Sequence, residues 1–367
     1  MTNTTHSVAL ETSASAAHPS SNRTVTHPKD VDPTQWRSAI SCLSPESRRE
    51  FTENWGLKVF DPSQNLELHL DFSLLMSRNG FRELAELRAT LFRAGERILL
   101  KQTLSLDRTT FLSDSPEIRL QDSILNSLGS RGTLQNKGHH LTWDFRITPS
   151  ESDKHWRWMP AFVRRLTGNP FQMGTLWRGP VPQGKIVLNG ETLLLSDKSS
   201  CSLVRSFGRK TWQQGTWVCA PHFIEENGGT ADLSLEGLAL TPNGHLFSRW
   251  LEPRVFRVHH KGVIHEINTL TQSFHARSFS QFPNWKFEAH ASDLRFVGDF
   301  SGELKNSIGL TNENTNGQIQ YLTRVFSPKG TLLIYRNGKL EGRFSTSTGT
   351  SLEFMSEQPN TYVGSYH

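Results

Sequence analysis

Lys185-Ile-Val-Leu-Asn189-Gly190-Glu-Thr-Leu-Leu-Leu195 places two short apolar runs on either side of an Asn-Gly pair. Asn-Gly tolerates the positive φ angles that a two-residue turn demands, so the stretch reads as an antiparallel hairpin. The arrangement returns twice. Asn243-Gly244 separates Leu238-Ala-Leu-Thr241 from His245-Leu-Phe247, and Asn337-Gly338 separates Leu332-Leu-Ile-Tyr335 from Lys339-Leu340. Lys261-Gly262 and Lys329-Gly330 add weaker turns of the same kind. Leu84, Leu87 and Leu91 fit a helix face, but Leu87, Ala89 and Leu91 also alternate. Ala94-Gly95 before Ile98-Leu-Leu100, in aromatic-rich surroundings, favours a further hairpin. Hairpins in series set antiparallel strands side by side, without the crossovers that parallel strands need. The chain reads as a meander of many strands, which removes its edges by closing into barrels or packing as sandwiches.

Composition agrees. The 367 residues include 10 Trp and 22 Phe beside 5 Met, rings that suit pleated, half-buried surfaces. No run approaches the roughly 18 uninterrupted apolar residues of a membrane-spanning helix, which excludes that class. Lys+Arg 40 against Asp+Glu 35 leaves +5, spread along the chain without the basic face of a nucleic-acid binder. Cys42, Cys201 and Cys219 are odd in number and lack CxxC spacing, which indicates neither a disulfide framework nor a cysteine zinc site. That fits a reducing, cytoplasmic compartment.

Residues 1–30, rich in Ser, Thr, Ala and His, read as a disordered tail without a secretory signal. Residues 31–59 read as a helical brace. Ser44 is its N-cap, Pro45 its first position, Glu46 complements the dipole, Gly56 ends it, and Phe51 and Trp55 share a face.

There is no GxSxG, HExxH, GxGxxG or GxxxxGK[ST] motif, so common hydrolases, zinc proteases, dinucleotide enzymes and P-loop enzymes are disfavoured. Around Lys261-Gly262, His260 pairs with Val263 and shares a face with His265, while His259 points away. No third ligand accompanies them, and no metal is expected. Further back, Trp217, Cys219, Pro221 and Phe223 alternate onto one face, and Pro221 makes the strand an edge or a bulge.

Gly184-Lys-Ile-Val-Leu-Asn-Gly190, a polar loop, Phe207-Gly208-Arg209, Trp212 and Trp217-Val218…Phe223 together resemble the tocopherol cyclase-like proteins and their relatives, the carotenoid 1,2-hydratase-like and fungal Diels–Alderase-like proteins. Pro283-Asn-Trp285-Lys-Phe287 is similar to the tryptophan-bearing strand that opens their second domain. The order of features spans roughly 60–365, and motif likeness is confined to about 184–223 and 283–300. The resemblance implies an all-β protein of two lipocalin-like antiparallel β-barrels, expected here over 60–250 and 251–367. It also implies an apolar ligand in or between them and cofactor-free cyclisation, hydration or pericyclic closure of an isoprenoid- or polyene-like molecule. Two departures are present: Ser202-Leu-Val-Arg-Ser-Phe207 replaces an acidic and aromatic run, and Cys219 and Pro221 stand where the cyclases carry amides.

Such chemistry needs an acid kept protonated by burial and aromatic faces that stabilise a carbocation. Asp144, flanked by Trp143 and Phe145, is one candidate acid, and it also reads as a salt-bridged structural residue beside Arg146. Glu288 is a second candidate, with a solvated surface role as its alternative. His222 is a third catalytic candidate, since histidine can move a proton near neutral pH, with a hydrogen-bonded wall residue as its alternative. Trp143, Arg205, Trp217, Phe223 and Trp285 are the candidate substrate contacts, and the aromatic ones serve equally as core. Trp156, Trp158, Arg164 and Arg165 interleave rings and charge, a pattern for peripheral membrane contact or for an exposed loop. The expected partner is therefore a hydrophobic small molecule handled without cofactor by a cyclase, hydratase or isomerase. A lipid or pigment carrier and a membrane-contacting scaffold are the alternatives.

Overall fold

The computed structural model describes residues 50–77, 83–111, 117–126, 128–147, 156–157, 171–179, 183–208, 214–241 and 252–367. Strands dominate, and among the described residues one short α-helix, Leu270–His275, starts on a capping box between Thr269 and Gln272. Among the described residues the strands form four antiparallel sheets of seven. Sheet I runs, in spatial order, Trp156–Arg157, Phe171–Gly179, Ser200–Gly208, Phe51–Asp61, Leu66–Met76, Glu83–Arg93 and Glu96–Ser105. Sheet II takes the strands from Thr109–Phe111 to His139–Arg146 together with Gln183–Leu188 and Glu191–Leu194. Sheet III runs Val263–Ile267, Arg254–His260, Leu233–Thr241, Gln214–Ala220, Ser351–Ser356, Ile319–Phe326 and Ser307–Glu313. Sheet IV combines Phe223–Glu225 and Thr230–Ala231 with the strands from Arg277–Gln281 to Leu294–Ser301 and from Lys329–Arg336 to Lys339–Thr346.

Side-chain alternation decides how the sheets stack. In Leu66–Met76, Leu66, Leu68, Leu70, Phe72 and Leu74 enter a core shared with Leu141, Trp143 and Ile186 of sheet II. Val218, Leu235, Phe256 and Leu352 of sheet III form a second core with Trp285, Phe296 and Ile334 of sheet IV. A smaller third cluster joins Phe60 and Val204 of sheet I to Trp217, Cys219, Leu238, Leu240 and Val255 of sheet III. The layer order is therefore II, I, III, IV. Sheets I and III are covered on both faces.

The hairpin reading holds. Asn189-Gly190, Asn337-Gly338, Lys261-Gly262 and Ala94-Gly95 all carry positive φ at both turn positions. Asn243-Gly244 lies outside the described residues, but the strands on either side of it pair antiparallel. Lys329-Gly330 is not a turn. It opens a strand, and a Cβ on Gly330 would sit 2.4 Å from the Phe300 ring, so the glycine makes room for an aromatic.

Two further expectations change. The brace, over its described part, is strand: Phe51–Asp61 pairs with Leu66–Met76 and Ser200–Gly208. Positions four apart share a face in a strand as well as in a helix, so Phe51 and Trp55 fit both. Residues 1–49 lie outside the described residues. Pro221 marks neither an edge nor a bulge, because the central strand Gln214–Ala220 ends before it. The chain then passes from sheet III to sheet IV, so Phe223 enters the second core while Trp217 and Cys219 face sheet I. The last strand of sheet I ends at Gly208, and Gln214–Ala220 pairs with Leu233–Thr241 and Ser351–Ser356 of sheet III. The pairings among the described residues give four antiparallel sheets.

Leu57 is fully buried in the first core and Leu194 is 68% exposed. Leu57→Ala is expected to cost about 2–5 kcal/mol in urea denaturation, against under about 0.5 kcal/mol for Leu194→Ala.

Candidate functional site

The apolar side of Leu66-Glu-Leu-His-Leu-Asp-Phe72 faces sheet II, so Glu67, His69 and Asp71 face sheet III. All three are buried. The neighbouring strands add Lys58, Arg88 and Thr90, since Lys58 is the register partner of His69, and Asp71 and His69 are those of Arg88 and Thr90. Sheet III answers with Arg324 and Glu353, themselves register partners.

Seven charged groups alternate in one chain. Lys58 Nζ lies 2.9 Å from Glu353 Oε1, and Arg324 Nε donates to that same oxygen at 2.8 Å. Arg324 Nη2 lies 3.4 Å from Asp71 Oδ2, and Arg88 Nε 3.3 Å from it. Arg88 Nη1 is 3.8 Å from Glu86 Oε1, and Lys101 Nζ is 2.6 Å from Glu86 Oε2. Further bonds between the sheets flank the chain. Arg88 donates to Thr311 O and Asn312 Oδ1, Arg97 donates to Ser307 O, and Thr175 and Ser202 donate to Glu236.

All seven charged residues line a cavity of about 330 Å³. Its remaining wall includes Leu74, Leu75, Met173, Val204, Trp217, Leu240, Leu322 and Met355. Lys58 Nζ stands 3.4 Å from the centroid of a Trp217 ring, a cation–π contact. Gly56 lies in the floor, where a Cβ would come 3.3 Å from Asp71 Oδ1.

Burial and neighbours set the protonation states. Burial pulls the Lys58 ammonium below its usual pKa, and Glu353 opposes that pull. Burial alone would raise Glu353, but the Lys58 and Arg324 charges outweigh it and hold that carboxyl well below the usual range. Burial likewise opposes ionisation of Asp71, and Arg324 and Arg88 overcome it. Behind the cavity, burial pushes Glu67 up to about 8 although Ser327 donates to it through N and Oγ, both at 2.7 Å. Burial, with Arg324 and Lys58 nearby, brings His69 down to about 3, a neutral imidazole 3.7 Å from both Glu67 and Glu353.

Among the described candidate site residues from sequence, Trp217 is in the cavity wall. Asp144 is exposed on a sheet II strand. Glu288 is on the outward side of sheet IV, 3.1 Å from His290 and 3.6 Å from Arg295. Neither has the buried surroundings expected of a protonated acid. His222 bonds Ser200 Oγ at 2.8 Å, and Trp143 donates to Ser130 Oγ within the first core. Arg205 pairs with Glu53 at 2.7 Å and covers the Trp55 and Phe207 rings, while Phe223 and Trp285 fill the second core. Trp156–Arg157 forms a short strand, and Trp158, Arg164 and Arg165 lie outside the described residues. His260 does pair with Val263, and its Nε2 lies 3.5 Å from Glu341. No helix among the described residues is long and apolar enough to cross a membrane.

No protein-family model matches the chain, and none of the curated proteins does. Solved structures do. A protein provisionally called AttH from Nitrosomonas europaea is similar at a TM-score of 0.50 and 12% identity, over 90% of this chain and 99% of that one. CghA, solved also with Sch210972, is similar at 0.51 and 8% identity, over 84% of this chain and 88% of that one. Kievitone hydratase from Nectria haematococca gives 0.46 and 11%, over 83% and 88%. At these identities the likeness is one of fold.

A carboxyl raised from 4.5 to about 8 makes the folded state hold a proton that the unfolded chain has released, so Glu67 lowers stability as pH rises between those values. Glu67→Gln removes this dependence. Its stability relative to the parent protein, read from urea denaturation at each pH, is expected to improve from pH 5 to pH 8 and then level off; a pH-independent difference would contradict the burial assigned to Glu67.

Proposed function

We propose that this chain is a cofactor-independent cyclase, hydratase or isomerase that holds a hydrophobic small molecule between sheets I and III and moves a proton on it through Lys58. The observation that carries the reading is a buried amine, paired to Glu353 and set over the Trp217 indole, in the wall of a largely apolar cavity. A lysine whose pKa burial lowers exchanges a proton near neutrality more readily than a solvated one. Glu353 and Arg324 fix the amine, and the indole face favours positive charge developing beside it. Exclusion of water from the apolar wall strengthens each of these effects. An isoprenoid- or polyene-like substrate matches that wall, and CghA, a neighbour in fold, has been solved with Sch210972. The cytoplasmic setting belongs to the same reading.

The carrier alternative draws support from the chain itself, because all seven charged groups already have partners and a bound molecule can rest there unchanged. Incubation with isoprenoid and polyene substrates, followed by mass and retention time, separates the two. Conversion without added metal or nucleotide is expected, with Lys58→Met lowering the rate by about 10²–10⁴. Recovery of only unaltered ligand in stoichiometric amount would establish the carrier. Peripheral membrane contact through Trp156, Trp158, Arg164 and Arg165 predicts salt-sensitive binding to anionic liposomes.

A further inference from the structure

The geometry points to an anionic amphiphile as the occupant of this cavity, with its negative head at the Arg88–Lys101 end and its apolar body against Met173, Val204, Trp217 and Leu240. The inference rests on the reading of the cavity as a small-molecule site and adds the charge of what it takes. Three observations carry it.

The alternating chain of ion pairs begins at Lys58 and closes on the two cations Arg88 and Lys101, with Glu86 between them. Glu313 also lines the cavity, outside the chain, and brings the charged lining to four acids and four bases, so the placement of the cations and not the net charge selects the head. Next, Arg88 and Lys101 are direct cross-strand partners, and like charges placed opposite one another on a sheet repel. One carboxylate, Glu86, is shared between them at 3.8 and 2.6 Å. Finally, donors remain. Arg88 directs Nε, Nη1 and Nη2 to Asp71, Thr311 and Asn312, which uses three of the five guanidinium N–H bonds. The Lys101 side chain is one-third exposed, and Glu86 is the carboxylate partner of its Nζ. A carboxylate, sulfonate or enolate seated there separates the two cations and accepts from both.

The opposite end suits the rest of such a molecule. Met173 and Val204 lie on strands at the other side of sheet I from Lys101, and Trp217 and Leu240 face them from sheet III.

A matched pair of dyes tests this in the full chain: 8-anilinonaphthalene-1-sulfonate, and N-phenyl-1-naphthylamine, which has the same rings without the sulfonate. Titration followed by dye fluorescence is expected to show the sulfonate binding at least about tenfold more tightly. Lys101→Met is expected to remove most of that preference, weakening the sulfonate dye far more than the neutral one. Gly56→Leu, which fills the floor, is expected to weaken both dyes. Equal affinity for the two dyes, or a preference untouched by Lys101→Met, overturns the anionic head with the cavity reading intact. Failure of both dyes to bind overturns the cavity reading as well. Retention of both dyes in a folded Gly56→Leu protein overturns the placement.

Discussion

A carboxylate buried between two sheets is tolerated only where cations reach it, and here they reach it from both. Glu353 of sheet III receives Lys58 from sheet I and Arg324 from its own sheet, while Asp71 of sheet I receives Arg88 and Arg324. Removing these groups from water costs several kcal/mol each, and the recovered attraction need not exceed that cost. What the chain supplies is register. A slip of one residue would turn Glu67, His69 and Asp71 into the core shared with sheet II, leaving Arg324 and Lys58 without their partners. Flanking bonds from Arg97 to Ser307, Ser327 to Glu67, and Thr175 and Ser202 to Glu236 fix the same alignment.

The cavity follows from that packing. Two apolar faces interdigitate, and sheets III and IV share a buried core in this way. Two faces studded with ion pairs are held at the spacing their hydrogen bonds require, and Gly56 contributes no side chain to fill the gap. The result is a hollow in which both sheets contribute ion pairs as well as Leu, Met, Val and Trp side chains. That combination is suited to orienting a small molecule rather than merely dissolving it.

Much of the fold is legible in the chain because turn chemistry is local. Asn189-Gly190 and Asn337-Gly338 declare their hairpins whatever surrounds them. The site is not legible in the same way. Leu66-Glu-Leu-His-Leu-Asp-Phe72 carries the alternation of a strand with one wet face, and nothing within it says that a second sheet covers the polar side. A histidine and two acids on one face of an otherwise leucine-rich strand are the available signal, and Lys58, Arg88 and Arg324 share it. Aromatic residues give the stronger local signal, and of those read as substrate contacts Trp143, Phe223 and Trp285 fill the two cores, since rings bury well wherever they lie. Trp217 was identifiable because its strand serves both layers. The membership of Gln214–Ala220 in sheet III is hidden for a related reason: its pairing with Ser351–Ser356 joins residues far apart in sequence.

The account stands or falls on contact between sheets I and III, and a double-mutant cycle on Lys58 and Glu353 measures it most directly. With Lys58→Met, Glu353→Leu and the double variant compared by urea denaturation, the account predicts that the double variant loses less than the two single losses combined, by about 2 kcal/mol or more. Strictly additive losses would mean that the two groups do not meet, and would contradict both the stacking of the sheets and the site between them.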